Sequence, residues 1–159
     1  MKTIPIFAVI FLALLVGCAS HRQANPTNPS NAIRQMEASD DFRIEAAVYG
    51  WLLEKHPWQS NVAVIFLDAG DVRAAALIKR FSKHVPPLKP VSQADRQPDQ
   101  APMDRATGKP GVLLTAKAVD PTNGVSEAVG TWDAGAEAKG LYAFVLMEMD
   151  GQWTIQSAK

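Results

Sequence analysis

Gly140-Leu141-Tyr142-Ala143-Phe144-Val145-Leu146-Met147-Glu148-Met149-Asp150-Gly151-Gln152-Trp153 is the stretch on which the fold turns. Asp-Gly between two apolar runs is a strong short hairpin signal, because a type I′ turn needs positive φ at both central residues. The arm before the turn alternates Leu141, Ala143, Val145, Met147 and Met149 with Tyr142, Phe144 and Leu146. Both sets are apolar, so this strand is expected to be central, with a helix on one face and further cover on the other. Met147 and Met149 read as a core stripe. Strands are expected near 111–119, 126–134, 140–149 and 152–157, with turns at 120–124, 134–139 and 150–151. Together they read as a four-stranded antiparallel meander.

Upstream the period changes from two to between three and four. Ser39-Asp40-Asp41 offers an N-cap followed by acidic residues in a first turn, where the helix dipole favours negative charge. Phe42, Ala46, Tyr49 and Leu53 recur on one face up to about Lys55. Ile44, Val48 and Trp51 widen that stripe, and Pro57 stops it. Val62 to Leu67 is a short apolar run that suits a strand covered on both faces. Gly70-Asp71 opens a second helix to about Lys83, with Ala74, Leu77, Ile78 and Phe81 inward, and Pro86, Pro87 and Pro90 follow it. Residues 91–110 are polar and turn-rich and read as a long surface loop, which is uncommon without a reason. The fold class expected is α+β: helix, strand, second helix, then the meander, in one domain over residues 39–159. That element order and the Met149-Asp150-Gly151-Gln152-Trp153 hairpin resemble the cystatin-like and NTF2-like superfolds, which implies a curved sheet wrapped around a long helix. Such folds carry many unrelated functions.

The N-terminal end is read separately. Lys2 is the only charge before an apolar run from Ile4 to Val16, interrupted by Pro5. A spanning helix needs roughly 20 apolar residues, so the run fits the apolar region of a signal peptide. It closes on Leu15-Val16-Gly17-Cys18, which resembles the lipobox of bacterial lipoproteins: aliphatic three positions before cysteine, small directly before it. The resemblance implies cleavage between Gly17 and Cys18, removing residues 1–17. It also implies a diacylglycerol thioether on Cys18, with fatty acylation such as palmitate on the freed amine. Two or three chains anchor stably where one does not. Ala19, rather than aspartate, follows the cysteine, which by the same resemblance favours the outer membrane of a Gram-negative envelope. Residues 18–38 are poor in large apolar side chains and read as a flexible tether, with a mean span of roughly 25 Å.

Composition narrows the function. The chain of 159 residues carries 16 basic and 16 acidic side chains. That balance lacks the basic footprint of a nucleic-acid binder or of a patch for anionic lipid. The single cysteine excludes an intramolecular disulfide.

Motifs for chemistry are sparse. His56 and His84 belong to no two-histidine metal motif, so no metal or other cofactor is expected. His56, beside Pro57 at a helix end, reads as a cation on the dipole. Gly124-Val125-Ser126-Glu127 lacks the second glycine of a nucleophile elbow. Thr107-Gly108-Lys109-Pro110-Gly111 lacks the upstream glycine and the hydroxyl of a phosphate loop, and reads as a turn.

Asp68 and Asp71 flank a strand-to-helix turn. They could form an acid/base pair, but capping by Asp71 and a strand-end charge on Asp68 explain them as well. Trp51 and Trp153 read as core. Trp58, Trp132 and Tyr142 are the candidates for a ligand pocket or an interface. Three functions remain open. The leading one is a non-catalytic envelope domain that binds a protein, peptide or small apolar ligand. An NTF2-like enzyme with a cavity near Asp68, Tyr142 and His84 is the second. A structural homodimer formed through the open face of strand 140–149 is the third.

Overall fold

The computed structural model describes residues 28–55, 62–136 and 138–159. Gly17, Cys18, Ala19, His56 and Trp58 lie outside them. The fold class is α+β; the described residues form three α-helices and a six-stranded mixed sheet.

Helix α1 (Pro29–Ala38) occupies the second half of the expected tether, where a flexible coil was the reading. Local chemistry explains the difference: the Asn28 side chain accepts from the Ser30 N–H and Pro29 stands in the first turn. Met36 then packs against the main core. Helix α2 (Asp40–Lys55) begins after Ser39, whose hydroxyl accepts from the Phe42 N–H at 3.4 Å. Of the expected stripe Phe42, Ile44, Ala46, Val48, Tyr49 and Leu53 are buried and Trp51 is half-buried at its edge; Leu52, outside that reading, is buried as well.

Strand β1 (Val64–Asp68) and helix α3 (Asp71–Arg80) follow as expected. The N-cap of α3 is Gly70, with no side-chain cap, so Asp71 does not play the capping role. Its carboxylate accepts from the Ser92 hydroxyl at 2.6 Å instead.

The sheet departs from a four-stranded antiparallel meander. Its order is β2-β1-β5-β6-β7-β8. Strands β5 (Gly111–Ala118), β6 (Val125–Asp133), β7 (Lys139–Met149) and β8 (Gln152–Ala158) are antiparallel neighbours in chain order. Strand β1 pairs parallel to β5, and the three-residue β2 (Leu88–Pro90) pairs parallel to β1. The crossover from β1 to β5 is long enough for a parallel return, and β1 is thereby buried on both sides. The turns behave as their residues dictate: Asn123-Gly124 and Asp150-Gly151 all have positive φ, the signature of type I′.

Alternation along the strands sorts the core into two layers. Ile65, Leu67, Val112, Leu114, Ala116, Ala128, Phe144, Leu146 and Trp153 face the helices. Val64, Phe66 and Leu113 point the other way and meet Ala94 and Val91. These last two belong to the 91–110 segment, which is therefore a built cover and not a plain surface loop. It holds a 3₁₀ turn at Val91–Gln93 and a small hairpin of β3 (Ala94–Asp95) and β4 (Met103–Asp104).

Candidate functional site

The 91–110 segment covers the outer face of β1 and β5, and there the cover ends. Register places Leu141, Ala143, Val145, Met147 and Met149 on the outer face of β7, beside Val129 and Val125 of β6. Val119, past the end of β5, lies opposite Glu127 on the same face. Leu141 is 66% exposed, Val145 39%, Met147 42% and Met149 45%. The expectation that β7 is covered on both faces, and that Met147 and Met149 are core, is thus corrected. Helix α2 covers one face, and among the described residues nothing covers the other.

An antiparallel sheet with one wet face normally alternates apolar-in with polar-out. Here the out positions of β7 from Leu141 onward are aliphatic or thioether side chains; Glu127 of β6 stands among them, opposite Val145, and Lys117, Thr154 and Gln152 lie at the margins. Covering Leu141, Val145, Met147 and Met149 would contribute roughly 1 kcal/mol each at about 25 cal/mol per Å². Exposed apolar patches of this kind are a common feature of interaction surfaces. A hollow of about 270 Å³ lies within it, lined by Val119, Glu127, Val129, Ala143 and Val145.

At the other end of this outer face lies a polar cleft of about 480 Å³ bordered by Arg96, Asp99, Asp133 and Lys139. Its charges answer one another: Lys139 Nζ stands 3.6 Å from Asp99 Oδ1 and 3.9 Å from Asp133 Oδ2. The cover is pinned by a buried carboxylate. Asp104 accepts from Lys89 Nζ at 2.9 Å on both oxygens and from the Thr107 hydroxyl at 2.7 Å. The Lys89 ammonium, then the Thr107 hydroxyl, hold the Asp104 carboxyl below the usual aspartate value. Arg105 adds bonds to Asp95 Oδ1 and the Ser92 carbonyl.

On the helix side, Tyr49 is fully buried and its hydroxyl donates to the Asp68 carbonyl at 3.2 Å. Burial is the main reason its phenol is pushed well above the usual range. Burial also raises the Glu45 carboxyl, against the opposing pull of Arg73 at 2.7 Å. Both groups serve the seam between α2, α3 and the end of β1.

The residues singled out from sequence fall apart in space. Tyr142 sits on the inner face, its ring edge-on to Trp51 with centroids 5.0 Å apart. Trp132 is half-buried on the same face, packed against the main core. Neither lines the bare patch. The Asp68 side chain is on the outer face with Val64 and Phe66. His84 stands with Nδ1 2.9 Å from the Pro86 carbonyl and Nε2 3.5 Å from that of Leu53. Asp68, Tyr142 and His84 therefore form no common cavity. Among the described residues no cluster of three or more His, Cys, Asp or Glu has the geometry to hold a metal ion. No described helix is long and apolar enough to cross a membrane. The outward residues of β7 were visible in sequence as an alternating set, but their exposure was not. Comparison with family models, curated proteins and solved structures finds no match for this chain.

Proposed function

We propose that the chain is a bacterial lipoprotein, cut between Gly17 and Cys18 and held on an envelope membrane by lipid on Cys18, whose domain acts by docking rather than by catalysis. The observation that carries the docking reading is the uncovered aliphatic face of β6 and β7. The lipobox Leu15-Val16-Gly17-Cys18 supports the anchor, and Ala19 favours the outer membrane. The resemblance to cystatin-like and NTF2-like domains is supported by α2 packed against β5, β6 and β8. The parallel strands β1 and β2 go beyond the helix and meander on which it rests. An NTF2-like enzyme would need Asp68, Tyr142 and His84 to converge, and they do not.

Two experiments test the two halves. Feeding cells a clickable fatty acid labels the wild-type chain and not Cys18→Ser; an unlabelled wild type contradicts the anchor. A photoreactive residue at Val145 forms a covalent adduct in cells, whereas one at Glu54, exposed on the helix side, does not. Equal behaviour at the two positions contradicts docking through the sheet.

A further inference from the structure

We infer that the occupant of the bare face is a second copy of this chain, the two sheets packing face to face across β6 and β7; this deepens the docking reading and rests on it. Pairing through the sheet edges is blocked. At one edge the β7–β8 register shifts between Val145 and Leu146, leaving Gln156 of β8 outside the ladder. Such a bulge breaks the flat template that another strand needs. At the other edge β2 is three residues long and closes on Pro90, which has no N–H to donate. The outer face of β6 and β7 carries no such guard.

Its shape suits a sheet better than a small molecule. The hollow on it, about 270 Å³, falls short of a ligand pocket of about 300–1,000 Å³. Two stacked sheets lie about 10 Å apart with interdigitating side chains, and the face supplies both bulk and relief: long Leu141, Met147 and Met149 around short Ala143.

Charge fits a like partner. The chain carries 16 charges of each sign, so two copies meet without net repulsion. Glu127, opposite Val145, stands within the face, and Lys117, paired with Val129, and Lys159, at the hollow, lie beside it, so the face carries both signs and two copies can set the Glu127 of one against a lysine of the other.

Size sets the strength. At a rise of about 3.4 Å per residue and about 4.8 Å between strands, the stretch from Leu141 to Met149 across β5 to β8 covers on the order of 500 Å². Two copies would bury about 1,000 Å², the lower end for a specific interface, so a dimer in exchange with monomer is expected. Anchoring both copies on one membrane raises their effective concentration.

The test uses residues 18–159 carrying Cys18→Ser, so that neither lipid nor the apolar run of residues 4–16 drives association. Sedimentation velocity is expected to show a monomer–dimer exchange. Val145→Glu and Met147→Glu, both at exposed positions and both beside Glu127, should each weaken it at least tenfold by burying an unpaired charge. A wild type that stays monomeric to about 1 mM overturns the inference, because a dissociation constant weaker than that is too weak for a specific pair. Two differently tagged copies are then co-produced with a photoreactive residue at Leu141. A crosslinked band carrying both tags supports the dimer. A band joining the chain to a different protein overturns the second copy while docking stands, and no band at all overturns both.

Discussion

Trp153 Nε1 donates to Asp40 Oδ1 at 3.1 Å, tying the last strand to the first turn of α2 across 113 residues of chain. Arg43 bonds the same carboxylate and reaches Glu148 at 2.7 Å and the Gly151 carbonyl at 3.1 Å. The hairpin made by Asp150-Gly151 is thus clamped over the helix N-terminus, which fixes which side of β7 faces the core. The Trp153 bond, then Arg43, lowers the Asp40 carboxyl below its usual value of 3.8. A lowered carboxyl contributes stability that is present above that value and lost as pH falls through the folded-state value. Trp153→Phe keeps the ring burial and removes the N–H. It should cost about 1 kcal/mol in urea unfolding and move the Asp40 titration upward; an unmoved titration contradicts the clamp.

Asp104 gives the second acid-sensitive point, at a different place in the fold. Its carboxyl is lowered chiefly by Lys89, so its hold on the 91–110 cover is present above the usual value of 3.8 and fails only as pH drops further. Asp104→Asn should loosen the cover already at neutral pH. Hydrogen exchange reads this at Gly108, whose N–H donates to the Asp104 carbonyl at 2.7 Å. The variant's Gly108 amide should exchange at least tenfold faster; wild-type protection in the variant would show that the apolar contacts of Val91 and Ala94 suffice.

Glu45 acts with the opposite sign. Burial raises its carboxyl above the model-peptide value of 4.5 in spite of Arg73. A raised folded value gives a contribution that is fully present below the unfolded value and lost as pH rises through the folded one. Since Arg73 is the group holding the value down, Arg73→Ala should push the Glu45 titration higher still. Carboxyl carbon shifts followed by NMR against pH check this, and a downward move would contradict burial as the cause.

At Gly130 the side chains of Val48 and Leu52 of α2 pack directly onto the backbone of β6. A Cβ there would meet Phe144 Cε2 at 2.8 Å and Val48 Cγ1 at 2.9 Å. Both neighbours are packed core, so Gly130→Ala should destabilise by about 1–3 kcal/mol through overpacking. Urea unfolding measures it, and a neutral result would mean that helix and sheet separate without cost.

The hairpins, α2, α3 and β1 were legible because period and turn chemistry act locally: Asp-Gly asks for positive φ, and Phe42, Ala46, Tyr49 and Leu53 mark one helix face. The mixed sheet was not. Leu88-Lys89-Pro90 lies among prolines and reads as irregular chain, and only the long-range pairing of Val64–Asp68 with β5 gives it a neighbour. The polar composition of 91–110 hid a cover resting on two side chains, Val91 and Ala94. For the site, two apolar sets on β7 imply two demanding faces, yet periodicity is silent on whether the second is met within the chain. Trp132 and Tyr142 drew attention by their chemistry, and both turned out to serve the helix side.

Methionine oxidation tests the docking face most directly, because Met147 and Met149 stand on it while Met36 packs against the main core. Exposed thioethers oxidise to sulfoxides readily, and covered ones do not. With peroxide added to the purified chain at sub-micromolar dilution, Met147 and Met149 should oxidise faster than Met36. In intact cells the same two residues should be protected at least fivefold relative to that dilute state. Equal oxidation of Met147 and Met149 in cells and in dilute solution would contradict the account: the face would be bare where the protein works.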